Sequence, residues 1–276
     1  MRSRMPYRLA NSATESSRKD LGMGTTRGFG VDVGGSGIKG CLVDVQAGAL
    51  DGERLRIPTP QPSTPDAVAD VIAEIVDKFD WHGPVGVTLP CVVTGGTART
   101  AANVDKGWIG TDAAALFAER LGRSRDEVLV LNDADAAGLA EMRYGAGVGR
   151  SGTVVLLTFG TGIGSAVFLD GKLVPNTELG HLEVDGHDAE TRAAASVKDE
   201  LDLSWEEWAA RVTRYIRALE DLIWPDLIIA GGGVSKKAHK WLPLLDVRTE
   251  VVPATLKNDA GIVGAAIAVH ERFVVD

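Results

Sequence analysis

Three glycine clusters, each set directly behind a run of apolar and β-branched residues, constrain this chain more than any other feature. Gly34-Gly35-Ser36-Gly37 joins the strand-like runs Gly28–Val33 and Ile38–Val45. Gly160-Thr161-Gly162-Ile163-Gly164 joins Thr153–Phe159 to Ser165–Leu169, and Gly231-Gly232-Gly233 follows Asp226–Ala230. Where side chains are missing, backbone N–H groups can approach an anion, so three such turns suit a phosphate chain lying in a cleft. Gly35 to Gly40 matches the letters of G-x-G-x-x-G, but that fingerprint must lead from a strand into a helix, and here both flanks read as strands. The Rossmann reading therefore fails, and there is no G-x-x-x-x-G-K-[ST] run to support a P-loop.

The two hairpins open two similar halves. In the first, Glu53–Ile57 supplies a third strand before Pro58, Pro60 and Pro62 interrupt pairing. Ser63 or Thr64 then caps a helix with Pro65 in its first turn and Val68, Val71, Ile72, Ile75, Val76 and Phe79 at helical spacing. Val85–Leu89 reads as a strand, Thr111–Leu121 as a helix, Glu127–Leu131 as a strand and Asp133–Tyr144 as a helix, which completes βββαβαβα. The second half repeats the hairpin, turns at Asp170-Gly171 into Lys172–Val174, and continues with a helix over Trp205–Trp224 whose Trp208, Val212, Tyr215, Ile216 and Leu219 share a face. A last helix, Asp259–Arg272, is rich in Ala and Gly, as close packing on a sheet requires. The reading is an α/β protein with a ligand cleft between two lobes.

At 276 residues the chain has room for one large domain or two modest ones. The net charge of −9 opposes general attraction to nucleic acid or anionic membranes, and no apolar run approaches the ~20 residues of a membrane span. Residues 1–27 carry six basic residues without an apolar core segment and read as a disordered leader rather than a secretion signal. Two cysteines, Cys41 and Cys91, are too few for a disulfide framework and fit a reducing cytoplasm.

Four motifs taken together, Asp32-x-Gly34-Gly35-Ser36, Leu131-Asn132-Asp133-Ala134-Asp135, Phe159-Gly160-Thr161-Gly162-Ile163-Gly164 and Glu178-Leu179-Gly180-His181, resemble the ROK family of sugar kinases over nearly all the chain after Arg27. Pro175 to Glu183 is most similar to the family's polyphosphate glucokinase branch, which includes the inorganic polyphosphate/ATP glucomannokinases. The resemblance implies a two-lobed actin/hexokinase-like (ribonuclease H-like) fold, with residues 28–133 plus 259–276 as a small N-terminal lobe and 134–258 as a large C-terminal lobe. The implied reaction moves the terminal phosphate of polyphosphate or ATP to the 6-hydroxyl of glucose, with mannose as a further acceptor. Asp133 is the implied catalytic base, and it is also well placed to cap its helix. Asn103, Asn132, Asp133, Glu178, His181 and Glu190 are the implied sugar contacts, because a polyol is recognised by donors and acceptors whose desolvation must be repaid in hydrogen bonds.

On the donor side the resemblance assigns Gly34, Gly35, Ser36, Lys39, Thr161 and Gly162, and brings Gly231, Gly232 and Gly233 to the adenosine of ATP. Lys236 and Lys237, with His239 and Lys240, form a basic cluster in an acidic chain that can attract an extended polyphosphate or serve only as a solvated face. Asp32 is the expected holder of Mg²⁺, through water. The cysteine-rich zinc motif of many ROK proteins has no counterpart in Leu182 to Asp199, so no structural zinc is expected. The same resemblance makes a homodimer the expected assembly. A strictly ATP-dependent ROK hexose kinase, a non-catalytic sugar-sensing regulator and an actin-like filament protein are the competing readings. Retention of Asp133 beside all three glycine turns counts against the regulator, and the sugar-site residues count against the filament.

Overall fold

The computed structural model describes residues 26–102 and 104–274; most of the expected leader, and Asn103, lie outside them. The first half comprises β1 (Arg27–Val33), β2 (Ile38–Asp44), β3 (Ala49–Leu50), β4 (Leu55–Ile57), α1 (Pro65–Lys78), β5 (Val85–Leu89), a small hairpin of β6 (Val93–Thr94) and β7 (Thr97–Ala98), α2 (Ala113–Arg120), β8 (Val128–Asn132) and α3 (Asp133–Tyr144). The second comprises β9 (Thr153–Phe159), β10 (Ile163–Leu169), β11 (Lys172–Val174), a hairpin of β12 (Glu183–Val184) and β13 (His187–Asp188), α4 (Glu190–Ala193), α5 (Ala195–Glu200), α6 (Trp205–Ile223), β14 (Leu227–Gly231), β15 (Glu250–Pro253) and α7 (Ala260–Val274).

The two main sheets have the same plan. One runs β3-β2-β1-β5-β8 with β4 also on β2, the other β11-β10-β9-β14-β15. In each the hairpin strands are antiparallel while the next two strands join in parallel, β1 to β5 to β8 and β9 to β14 to β15. This duplicated plan is the ribonuclease H-like architecture that the resemblance implies. The halves differ between their last two strands, where α2 of the first half is answered by 3₁₀ turns, Gly233–Lys240 and Leu242–Leu244, in the second.

Local chemistry explains where boundaries fall. The helix expected from Thr111 begins at Ala113 because Asp112 is its N-cap, its carboxylate accepting from Ala115 N at 3.0 Å. The second hairpin is tighter than expected, since Ile163 already pairs with Phe159 and only Gly160 to Gly162 are left as the turn. β15 was hidden in the sequence because its four residues end in proline and lie on a sheet edge.

Two helices fill the space between the sheets. α7 lies on β1 and β5, while α3, which follows the first sheet, packs against β9 and β10 of the second. The approach is close: a Cβ at Gly30 would fall on the Ile262 carbonyl, one at Gly86 on the Ala265 carbonyl, and one at Gly264 on the Ala136 carbonyl. The outer faces are closed by α1 and α2 over Ile72, Val87 and Phe117, and by α6 over Leu157 and Ile216. Trp208 and Trp241 meet edge-on at 4.9 Å between ring centroids beneath Phe159, anchoring the second hairpin. The parallel strands β1 and β8, and β9 and β14, thus direct their carboxyl ends into one cleft, the usual ligand position in open α/β sheets.

Candidate active site

Asp32 is the last residue but one of β1 and stands directly across from Lys39 on β2 and Thr88 on β5. Thr88 Oγ1 donates to Asp32 Oδ1 at 3.0 Å and Lys39 Nζ donates to Oδ2 at 3.2 Å. The turn beyond it is closed by Gly34 N donating to Gly37 O at 3.2 Å, and Arg56 holds the Ser36 carbonyl at 2.7 Å. A side chain at Gly35 would meet nothing within 4 Å, so this turn opens on free space.

α3 begins at the carboxyl end of β8. Its cap is Asn132 and not Asp133: Asn132 Oδ1 accepts from Ala134 N at 2.8 Å and Asp135 N at 3.0 Å, while Nδ2 donates to the Cys91 carbonyl at 3.1 Å. Both ends of that amide are therefore held inside the protein. Asp133 is left in the first helical position with one carboxylate oxygen taking Ala134 N at 2.9 Å. Its carboxyl is pushed up to about 7, first by burial and then by the Asp32 carboxylate, with Glu178 adding to both. The same crowding, after burial, lifts the Cys91 thiol to about 12, with Asp133 and Glu178 again the charges nearby.

A cavity of about 180 Å³ joins Asp32, Lys39, Asp133 and Gly231 to Gly233. Gly232 has φ +80°, and any Cβ there would strike the Phe159 backbone, so only glycine allows the third turn to lie against the second. A second cavity of about 330 Å³ continues from Gly233 past Gly160 and Thr161 to Lys198, Lys237 and Trp205. Lys198 Nζ lies 4.5 Å and Lys237 Nζ 5.9 Å from the Trp205 ring centre. Lys236, Lys237, His239 and Lys240 are all exposed, and of the four Lys237 lines this cavity. Gly162 is next to Glu190, whose Oε2 accepts from Ile163 N at 3.0 Å, so this carboxylate is fixed by the second glycine turn.

Opposite Asp133 lies the segment 175–191. Glu178 precedes a 3₁₀ turn, Leu179–His181, and its carboxyl is raised by burial and by Glu190 against the lowering effect of His181. His181 Nδ1 is 2.8 Å from Asp188 Oδ2 and 3.9 Å from Glu190 Oε1. The ligand-type atoms of His181, Asp188 and Glu190 all lie within 4.8 Å of one another, close enough for a cation; His181 and Asp188 share a hydrogen bond, and the Glu190 backbone N–H donates to Asp188 Oδ1. Asn176 reaches across to the first half: its Oδ1 accepts from Val93 N at 2.8 Å, its Nδ2 donates to Val93 O at 2.9 Å, and its own N–H donates to Asp135 Oδ2 at 2.8 Å.

Asp32, Lys39, Asp133 and the third glycine turn thus share one cavity, Thr161 and Lys237 the adjoining one, and Glu178, His181 and Glu190 cluster on the segment opposite Asp133. Motif reading passed over Thr88, Lys198, Trp205, Asp188, and the Asp135–Asn176 pair. Thr88 carried a faint signal, a hydroxyl inside an otherwise apolar strand, and Asp188 lay two residues beyond an Asp-Gly turn.

Carboxylates and glycine turns along one cleft are what the resemblance to sugar kinases implies, and residues 28–196 match the ROK family model; the chain belongs to the ROK family. It is 59% identical over 260 residues to the polyphosphate glucokinase of Mycobacterium tuberculosis, covering 94% of this chain and 97% of that one. With the polyphosphate glucokinase of Mycobacterium leprae it shares 60% identity over 248 residues, 89% of this chain and 76% of that one. The crystal structure of inorganic polyphosphate/ATP-glucomannokinase from Arthrobacter sp. strain KM superposes with a TM-score of 0.86 at 53% identity, covering 90% of this chain and 100% of that one. Among the described residues no helix is long and apolar enough to cross a membrane.

Proposed function

We propose that this chain is a polyphosphate/ATP-dependent glucokinase, moving a terminal phosphate to the 6-hydroxyl of glucose, with mannose as a second acceptor, in the cytoplasm and as a homodimer. The observation that carries the reading is Asp133 at the start of α3, its carboxyl lifted to about 7 beside Asp32 in a cleft rimmed by glycine turns. Identity of about 60% to polyphosphate glucokinases supports the same choice of donor and acceptor.

Asp133 acts as general base: a carboxylate whose affinity for protons sits near neutrality can take the hydroxyl proton as the phosphoryl group transfers. Asn132 aligns it by capping α3, and Glu178, His181 and Glu190 with Asn103 hold the sugar hydroxyls. Lys39 and the backbone N–H groups of Gly35, Ser36, Thr161 and Gly162 face the donor phosphates, with Gly34 closing the first turn through its bond to Gly37. Gly231 to Gly233 flank adenosine when ATP is used, and Lys237 with Lys236 draws in the longer polyanion. Residues 28–133 with 259–276 form one lobe and 134–258 the other, and their closure excludes water that would otherwise accept the phosphate.

Asp32 fits a divalent cation, being a hard oxygen donor at the glycine turn, and its ties to Thr88 and Lys39 favour contact through water. Mg²⁺ held there would offset charge on the transferring phosphate. The test is the initial rate of glucose 6-phosphate formation with nucleotide-free polyphosphate or ATP as sole donor. Turnover with polyphosphate is the expected result; turnover with ATP alone would reduce the lysine cluster to a solvated face, and turnover with neither would turn attention to a sugar-binding regulator.

A further inference from the structure

Beyond the residues that face the cleft, the segment 181–190 contains a carboxylate that points at another side chain instead of at the cavity. Asp185 and Gly186 both have positive φ, +53° and +77°, the geometry of a tight two-residue turn matching the twist of its strands. The turn folds β13 back on β12, pairing Glu183 with Asp188 and Val184 with His187. It is braced from α6, where Arg214 grips Asp185 with two hydrogen bonds of 2.9 and 2.6 Å, and from its base, where Ala189 N donates to Leu182 O at 2.9 Å. The effect is to return Asp188 to the ring of His181.

Both Asp188 oxygens are then committed. Oδ2 lies 2.8 Å from His181 Nδ1 and Oδ1 accepts from Glu190 N at 3.2 Å. A carboxylate has no proton to give, so the imidazole is the donor in the first bond and its Nδ1 carries the hydrogen. That determines both the tautomer and the rotation of the ring, and leaves Nε2 as the edge available to a hydroxyl. One side chain also orients the two neighbours on either side of it, since the Glu190 backbone is fixed by Oδ1 while the Glu190 carboxylate is fixed by Ile163 N.

We propose that Asp188 is a positioning residue for sugar recognition, holding His181 with Nδ1 protonated and Nε2 turned toward the acceptor. The inference rests on the reading of His181 as a sugar contact, and the two can be separated. Asp188 touches neither substrate; its role is exerted through the imidazole and the start of α4.

The experiment measures glucose KM and kcat, at saturating donor and with verified folding by circular dichroism, for Asp188→Ala, Asp188→Asn, His181→Ala and the His181→Ala/Asp188→Ala double variant. The expected result is a glucose KM raised about 10-fold in Asp188→Ala with kcat nearly unchanged, as loss of one oriented hydrogen bond implies. Asp188→Asn keeps an acceptor for Nδ1 but must set its amide against one of two donors, so it should fall between wild type and Asp188→Ala. In the His181→Ala background the Asp188 change should add little, because the group it orients is gone. Equal losses for Asp188→Ala with and without His181 would overturn the proposal and leave a merely structural hairpin. If His181→Ala itself leaves glucose KM unchanged, the sugar-contact reading fails first. If a chelator reproduces the Asp188→Ala effect on the wild-type protein and zinc reverses it, the trio binds a cation and the positioning role is wrong.

Discussion

Asp133 is costly to keep in the state that chemistry needs. A carboxyl with an ordinary value of 3.8 that reaches about 7 in the folded chain binds a proton between those limits, where the unfolded chain has released it. Its contribution to stability is therefore fully present below about pH 4 and declines as pH rises to about 7. Asp133→Asn removes that decline while keeping the shape of the side chain. In metal-free buffer the variant should melt close to wild type at or below about pH 4, pull ahead through pH 5 to 7, and lie clearly above it at pH 8, by about 2 kcal/mol after allowance for solvent screening. Turnover should fall roughly 10³-fold in the same protein, within the range for loss of a general base. A variant that loses turnover without gaining stability at pH 8 would show that burial and Asp32 do not raise this carboxyl. Asp133, Asp32 and Glu178 were legible as motif residues, but the raised proton affinity was not, because it comes first from burial of Asp133 in the folded cleft and then from carboxylates brought beside it from β1 and the segment before β12.

At the scale of elements, the glycines of α7 and of the strands beneath it set the distance between layers. Ala in place of Gly inside a helix ordinarily stabilises by up to about 1 kcal/mol. At Gly264 the sign should reverse, since the new methyl would fall on the Ala136 carbonyl of α3, a backbone atom that cannot swing aside. Gly264→Ala should lower stability by about 1–3 kcal/mol, read as a lower urea midpoint at unchanged slope. A neutral or stabilising outcome would mean that α3 and α7 slide apart without penalty.

The sequence announced that closeness through the Ala and Gly content of the last helix, just as the alternation of apolar residues announced both hairpins and α1 and α6. It did not announce β12, β13 and β15, which have two to four residues and little periodicity. Nor did it show that α3 would cross to the second sheet, because its weakly segregated apolar positions, such as Ala136 and Ala140, are small enough to pack on either side.

For the whole molecule, the informative feature is the set of side chains that tie the two halves together beside the cleft. Asn176 is one: its side chain imitates a paired strand, giving and receiving a hydrogen bond with Val93, while its backbone N–H goes to Asp135. The residue has φ +59°, a conformation that asparagine tolerates better than most side chains. Asp135 is buried beside Asp133's turn of helix, and burial lifts its carboxyl to about 6. The chain of contacts therefore runs from the β6–β7 hairpin through the loop that carries Glu178 to the first turn of α3. Cutting it at one atom pair separates its two consequences. Asn176→Ala removes both bonds to Val93 and keeps the N–H that Asp135 receives, although alanine is less content at that φ. The Val93 amide, now without its acceptor, should exchange with deuterium at least 10-fold faster, while amides in β5 and β8 keep their protection. Glucose KM should rise by about 5- to 10-fold, because the loop bearing Glu178 and His181 loses its hold on the opposite half, and kcat at saturating sugar should fall less, since Asp133 keeps its own anchoring through Asn132. Faster exchange at Val93 with no change in KM would show that the bridge is structural only. Unchanged exchange would show that the amide is protected by something other than Asn176.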